Sequence, residues 1–80
     1  MVDMNSRRFA VRETVAEMVG HRVEDSELIV SSGLMDSLSV LSLIARLEER
    51  LKVAIPSGNL QPEDFDSVDL IVETLEREAL

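Results

Sequence analysis

Asp36, Ser37 and Leu38 stand where a stretch without sustained period gives way to the most regular apolar repeat in the chain. Asp36 is a good helix N-cap, because its carboxylate can accept from the first free backbone N–H groups. Ser37 then falls in the first turn of the helix, with its hydroxyl expected to be exposed. A helix N-terminus carries unpaired N–H groups and partial positive charge, so a phosphate ester on that hydroxyl is electrostatically tolerated. A long preceding loop would let an enzyme approach from outside. Taken alone, Asp-Ser-Leu is no more than a helix cap, and its chemistry depends on its surroundings.

Other residue types with chemical potential are sparse. There is no Cys, which excludes disulfides, thiolate nucleophiles and zinc knuckles of this chain's own. His21 follows Gly20 with no partner acid or second ligand at a telling spacing, and a cationic imidazole is simply favourable at a helix C-terminus. The acids among residues 63–69 lack the central Gly and the closing bidentate Glu of a calcium loop. No nucleophile, base and orienting group form a set, so an autonomous enzyme is not expected, and neither a catalytic residue nor a metal site is assigned.

The elements that position Ser37 follow from periodicity. Over residues 4–20, Val11, Val15, Met18 and Val19 line one helical face, with Asn5 or Ser6 as candidate N-cap and Gly20 as the stop. Residues 21–36 read as a long loop with apolar anchors at Val23, Leu28, Ile29 and Leu34, and Met35 packs beside the motif. After Asp36, Val40, Leu43, Ile44, Leu47 and Leu51 repeat at helical spacing, while Leu38, Leu41 and Ala45 form a second stripe. A sector that wide suits a central helix, or one that presents apolar surface to a partner. Pro56 stops this helix, Ser57-Gly58-Asn59 makes a turn, and residues 61–65 read as one short helical turn opened by Pro62. With Asp66 or Ser67 as cap, Val68, Ile71, Val72, Leu75 and Ala79 close the chain in an amphipathic helix. The expected fold is all-α, a small four-helix bundle of three main helices and one short one, forming a single domain over residues 1–80.

Composition narrows the function classes. A chain of 80 residues buries only about 60–65% of its unfolded surface, which leaves little room for an enclosed catalytic pocket. Sixteen acids against eight Lys and Arg set the net charge at −8, which repels phosphate backbones and makes a nucleic-acid partner unexpected. Apolar runs reach only three residues, as at 28–30, so no membrane span is expected, and residues 1–9 lack a secretory pattern. A soluble cytoplasmic protein is the expectation.

Gly33-Leu34-Met35-Asp36-Ser37-Leu38, followed by Leu41, Leu43, Leu47-Glu48-Glu49, Leu51 and Ile55-Pro56, resembles the acyl carrier protein family. The resemblance implies that Ser37 receives 4′-phosphopantetheine covalently from coenzyme A and that cargo rides as a thioester on the arm. It implies that Asp36 and Leu38 flank the attachment point as positions read by a phosphopantetheinyl transferase. On this resemblance the protein itself need catalyse nothing. A thiol supplied by the prosthetic group would also account for the missing cysteine. A further implied partner is an acyl- or aminoacyl-activating ligase or synthase, visited by a monomeric carrier. Candidate partner-binding residues are Leu41, Ala45, Glu48, Glu49, Asp64, Asp66 and Asp69.

The charge distribution departs from that of fatty-acid-synthesis carriers, whose second helix is acidic. Ser39 and Ser42 stand at the corresponding positions here, and residues 37–52 carry three bases against two acids. Residues 53–80 instead hold seven acids against one base. Together with Pro62-Glu63-Asp64-Phe65-Asp66-Ser67, the motif looks like free-standing carriers loaded by an adenylating ligase, such as the D-alanyl carrier proteins. A dedicated acyl or aminoacyl carrier is therefore expected, with a general fatty-acid carrier as the alternative within the family. Outside the family, the alternative is an unmodified acidic interaction protein.

Overall fold

Val11, Thr14 and Val15 recur at three- and four-residue spacing and are all buried, so one side of the first helix is committed to the core. The computed structural model describes residues 4–56, 58 and 60–79. Helix α1 spans Met4–Val19, α2 Ser37–Leu51 and α3 Val68–Glu78, with a 3₁₀ turn at Pro62–Phe65 between α2 and α3. Among the described residues there is no strand. The expected turn at Ser57-Gly58-Asn59 falls partly on Ser57 and Asn59, outside the described residues.

Helix α1 packs against both α2 and α3, and the 3₁₀ turn packs against α2 and α3. The middle of the bundle is thus α1, and the wide apolar sector of α2 is explained differently. Val40, Leu43, Ile44 and Leu47 enter the core, whereas Leu38, Leu41 and Ala45 lie exposed. Asn5 and Ser6 do not cap α1, because the helix already includes Met4 and both lie inside it. Gly20 ends α1 as expected: its φ of 94° is one that a side chain rarely adopts, and its N–H donates to the Ala16 carbonyl at 2.8 Å.

Only two of the four loop anchors enter the core. Val23 and Ile29 are buried, but Leu28 and Leu34 are 50% and 41% exposed. The Ile29 N–H donates to the Asp66 carbonyl at 2.7 Å, which turns Ile29 inward and leaves its neighbour Leu28 outside. Met35, expected only to pack beside the motif, is buried in the core cluster. The other end of the loop is tied to α3, where the Asp69 N–H, an orphan donor of the first turn, reaches the Asp25 carbonyl at 3.0 Å. Arg8 and Arg12 of α1 both pair with the Asp25 carboxylate, at 3.2 and 2.9 Å.

Phe65 closes the core between the 3₁₀ turn and α3. The turn is held by a capping box in which the Asp64 carboxylate accepts from the Gln61 N–H at 2.8 Å, with Pro62 at its first position. Ser67 then caps α3, its hydroxyl accepting from the Leu70 N–H at 3.1 Å. No helix among the described residues is long and apolar enough to cross a membrane.

Candidate functional site

Ser37 is the first residue of α2 and is exposed. Its placement begins at Gly33, whose positive φ of 89° allows a turn closed by its N–H donating to the Val30 carbonyl at 3.0 Å. Met35 anchors the end of that turn, and its N–H donates to the Ile29 carbonyl at 2.8 Å. Asp36 comes next in an extended conformation and accepts from the Ser39 N–H at 2.8 Å. The Ser39 backbone N–H first, and then the Ser39 hydroxyl, hold the Asp36 carboxyl below its ordinary range, so the cap is anionic at neutral pH.

A shallow groove of about 160 Å³ opens beside Ser37. Its lining is mainly apolar, with Val40, Leu41 and Ile44 from α2 facing Leu60, Pro62 and Phe65. Periodicity places Val40 and Ile44 on a core face, but nothing local announces that the segment before α3 meets them here.

The partner-binding candidates separate into distinct groups. Leu38 and Leu41 are 75% and 58% exposed and, with exposed Ala45 and Leu34, make an apolar surface around Ser37. Glu49 is exposed beside them, as are Arg46 and Lys52. Glu48 is instead occupied within the fold, its carboxylate accepting from the Ile55 N–H at 2.8 Å. Arg50 turns back to α1 and donates to the Thr14 hydroxyl at 2.8 Å. The outer face of α2 is therefore leucine-rich and not acidic.

The C-terminal acids do not act as one patch. Asp64 is half-buried, closes the 3₁₀ capping box and lies 3.9 Å from Arg77. Asp69 is exposed and pairs with Arg8. Asp66 is only 7% exposed, and its carboxylate accepts from the N–H groups of Val30 and Ser31 at 2.7 and 2.9 Å and from the Ser31 hydroxyl. Its oxygens face inward, so it does not present charge to a partner as the sequence suggested. The tie spans 35 residues and leaves no local signal in the sequence.

Burial pushes the Asp66 carboxyl up, but the Ser31 hydroxyl and the N–H groups of Ser31, Val30 and Ile29 outweigh it and hold the carboxyl below the usual aspartate range. A folded-state pKa below the unfolded one contributes stability above the unfolded value, near 3.9, which is lost as pH falls through the folded value. Urea unfolding at pH 7 should therefore find the protein about 1–3 kcal/mol more stable than Asp66→Asn. That gap should hold down to about pH 5 and close below about pH 4. A gap that widened on acidification would contradict this assignment.

Residues 10–75 match the family of the phosphopantetheine attachment site. The chain belongs to this family. It is a phosphopantetheine carrier with no catalytic role of its own, and the covalent cofactor of the family is phosphopantetheine. The carrier is also similar to the D-alanyl carrier protein of Listeria monocytogenes serotype 4a (strain HCC23), at 27% identity over 74 residues covering 84% of this chain and 95% of that protein. The D-alanyl carrier protein of Listeria welshimeri serovar 6b matches at 26% identity with the same coverage. The relation is distant but spans most of both chains. As a carrier of this family, it requires a transferase that installs the group.

Proposed function

We propose that Ser37 is the residue that takes 4′-phosphopantetheine from coenzyme A, and that the chain acts as a single-domain, monomeric carrier of a short acyl or aminoacyl group. The observation that carries this is the exposed Ser37 hydroxyl at the head of α2, directly after the Asp36 cap and beside the apolar groove. These residues fit the group: the hydroxyl is open to a transferase, and the groove offers an apolar wall to the arm or its cargo. When attached, the group supplies the terminal thiol on which cargo is held as a thioester. The chain, which has no Cys, supplies orientation and recognition.

A groove of about 160 Å³ offers only a short apolar wall, which suits a short group better than a long acyl chain. The name of the distant D-alanyl carrier relatives points the same way. Both features favour a dedicated pathway, with an acyl- or aminoacyl-activating ligase as loading enzyme, over general fatty-acid synthesis. A charge of −8 makes a nucleic-acid partner unfavourable, and a cytoplasmic setting is part of the same proposal.

Docking is assigned to Leu38, Leu41 and Ala45, because those side chains are exposed on the outer face of α2, with the capping Asp36 at its edge. Leu41→Ala should weaken productive docking of the transferase by about 1–2 kcal/mol, roughly tenfold in KM. Asp69→Lys should leave loading and its salt dependence nearly unchanged. A strong low-salt defect in Asp69→Lys with a normal Leu41→Ala would transfer docking to the acidic end.

The test of the whole proposal is intact mass after incubation with coenzyme A and a phosphopantetheinyl transferase. A gain of one arm on the peptide containing Ser37 is the expected result. The cargo can then be identified from the mass of the protein purified from its native cell.

A further inference from the structure

Among the described residues, Asp66 is the one charged side chain buried in the fold. Its carboxylate holds the N–H groups of Val30 and Ser31 and the Ser31 hydroxyl, while its carbonyl holds the Ile29 N–H. One residue thus binds three consecutive residues of the long loop. Two of those three are also joined to the approach to α2, because the Ile29 carbonyl accepts from the Met35 N–H and the Val30 carbonyl from the Gly33 N–H. Residues 29–35 are in this way closed into a ring whose far end, Met35, leads directly into the Asp36 cap and Ser37.

We propose that Asp66 is a positioning residue for Ser37, acting through the ring of residues 29–35 to fix where the head of α2 lies. This rests on the proposed role of Ser37. Helical hydrogen bonds hold Ser37 relative to the rest of α2, but they do not hold the loop that delivers the chain to it. Releasing the loop adds conformers in which the Gly33 to Ser37 segment has the wrong shape for a transferase. A partner whose binding-competent form is present at fraction f binds with an apparent constant raised by 1/f. Once bound, the reacting hydroxyl is unchanged. The signature of a positioning role is therefore a raised KM with a retained kcat.

Asp66→Asn keeps the one oxygen that accepts from both N–H groups but removes the negative charge that strengthens those bonds and the oxygen that accepts from the Ser31 hydroxyl, so it loosens the tie without removing the side chain. With the full-length protein as substrate for a phosphopantetheinyl transferase and coenzyme A, this variant should show KM raised about five- to tenfold with kcat within about twofold. Ser31→Ala, which removes only one of the donors, should show a smaller rise of about two- to threefold. Amide exchange measured by NMR on the unmodified proteins gives an independent readout. In Asp66→Asn, exchange should quicken at Val30, Ser31, Met35 and Ser39, while the core amides of α1 and α3 keep their protection. If Asp66→Asn proves unfolded by circular dichroism, Ser31→Ala decides by the same two measurements. Wild-type KM in a folded variant, or unaltered protection at Met35 and Ser39, would overturn the proposal. Equal loss of protection throughout α1 and α3 would also overturn it, since Asp66 would then serve general stability. Failure of the wild-type protein to gain an arm would count against Ser37 as the attachment residue, and the exchange pattern at Met35 and Ser39 would still decide the positioning role.

Discussion

Ser37→Ala is expected to abolish the gain of the phosphopantetheine arm while leaving the fold intact. Ser37 is exposed and makes no core contact that the bundle needs, and the Asp36 cap reaches past it to the Ser39 N–H. Alanine is the better helix former, by up to roughly 0.5 kcal/mol, so the urea midpoint should match or slightly exceed that of the natural protein. Loss of modification in a protein of unchanged helix content then reports the missing hydroxyl. Ser42 makes the control, since it too is an exposed hydroxyl on α2 but lies about one and a half turns further on, away from the loop and the helix head. Ser42→Ala should load to completion. Intact mass with peptide mapping checks both variants. A full gain in Ser37→Ala would move the attachment elsewhere and return Asp36-Ser37 to the role of a helix cap.

The largest expected effect on stability is that of Phe65→Ala. Phe65 is 1% exposed and is the only aromatic in the core, since Phe9 stands on the surface of α1. It sits where the 3₁₀ turn meets α2 and α3, and it also forms part of the groove beside Ser37. Truncating a buried Phe costs about 3–5 kcal/mol through lost transfer energy and the cavity left behind. A domain of 80 residues has a total stability of about 4–12 kcal/mol, so this one change removes a large part of it. Urea unfolding should show a midpoint greatly lowered or a protein already partly unfolded in buffer, with arm loading reduced in proportion. Phe65→Leu refills most of the volume and should lose no more than about 1.5 kcal/mol while keeping its loading. Phe9→Ala should shift stability by less than about 0.5 kcal/mol. A midpoint for Phe65→Ala equal to that of Phe9→Ala would show that the core does not depend on this ring.

The helices and the head of α2 are legible because their causes are local. A carboxylate that caps an N–H three residues ahead, a glycine that ends a helix and apolar residues every three or four positions all act within one or two turns. Asp36, Ser37, Gly20 and the core faces of all three helices can therefore be read from the sequence. Asn5 and Ser6 fail as caps because the helical pattern continues to Met4. Leu28 and Leu34 read as anchors because a loop has no period that tells inward from outward, and a hydrogen bond from Ile29 to a distant residue makes the choice.

Charge shows the division most clearly. The sequence alone pointed to a small acidic helical carrier, offered Asp36-Ser37-Leu38 as the proposed attachment motif, and showed that acids gather after Pro56 rather than on α2. Only the tertiary structure decided what those acids do. Asp66 turns inward to Ser31, Asp69 meets Arg8 across 61 residues, and Asp64 closes the 3₁₀ capping box beside Arg77. That leaves the leucines of α2 as the open surface around Ser37. Helix formation depends on neighbours in the chain, whereas the partner of a carboxylate depends on which groups the packed helices bring within about 3 Å of it, and that distance is set only when the core closes.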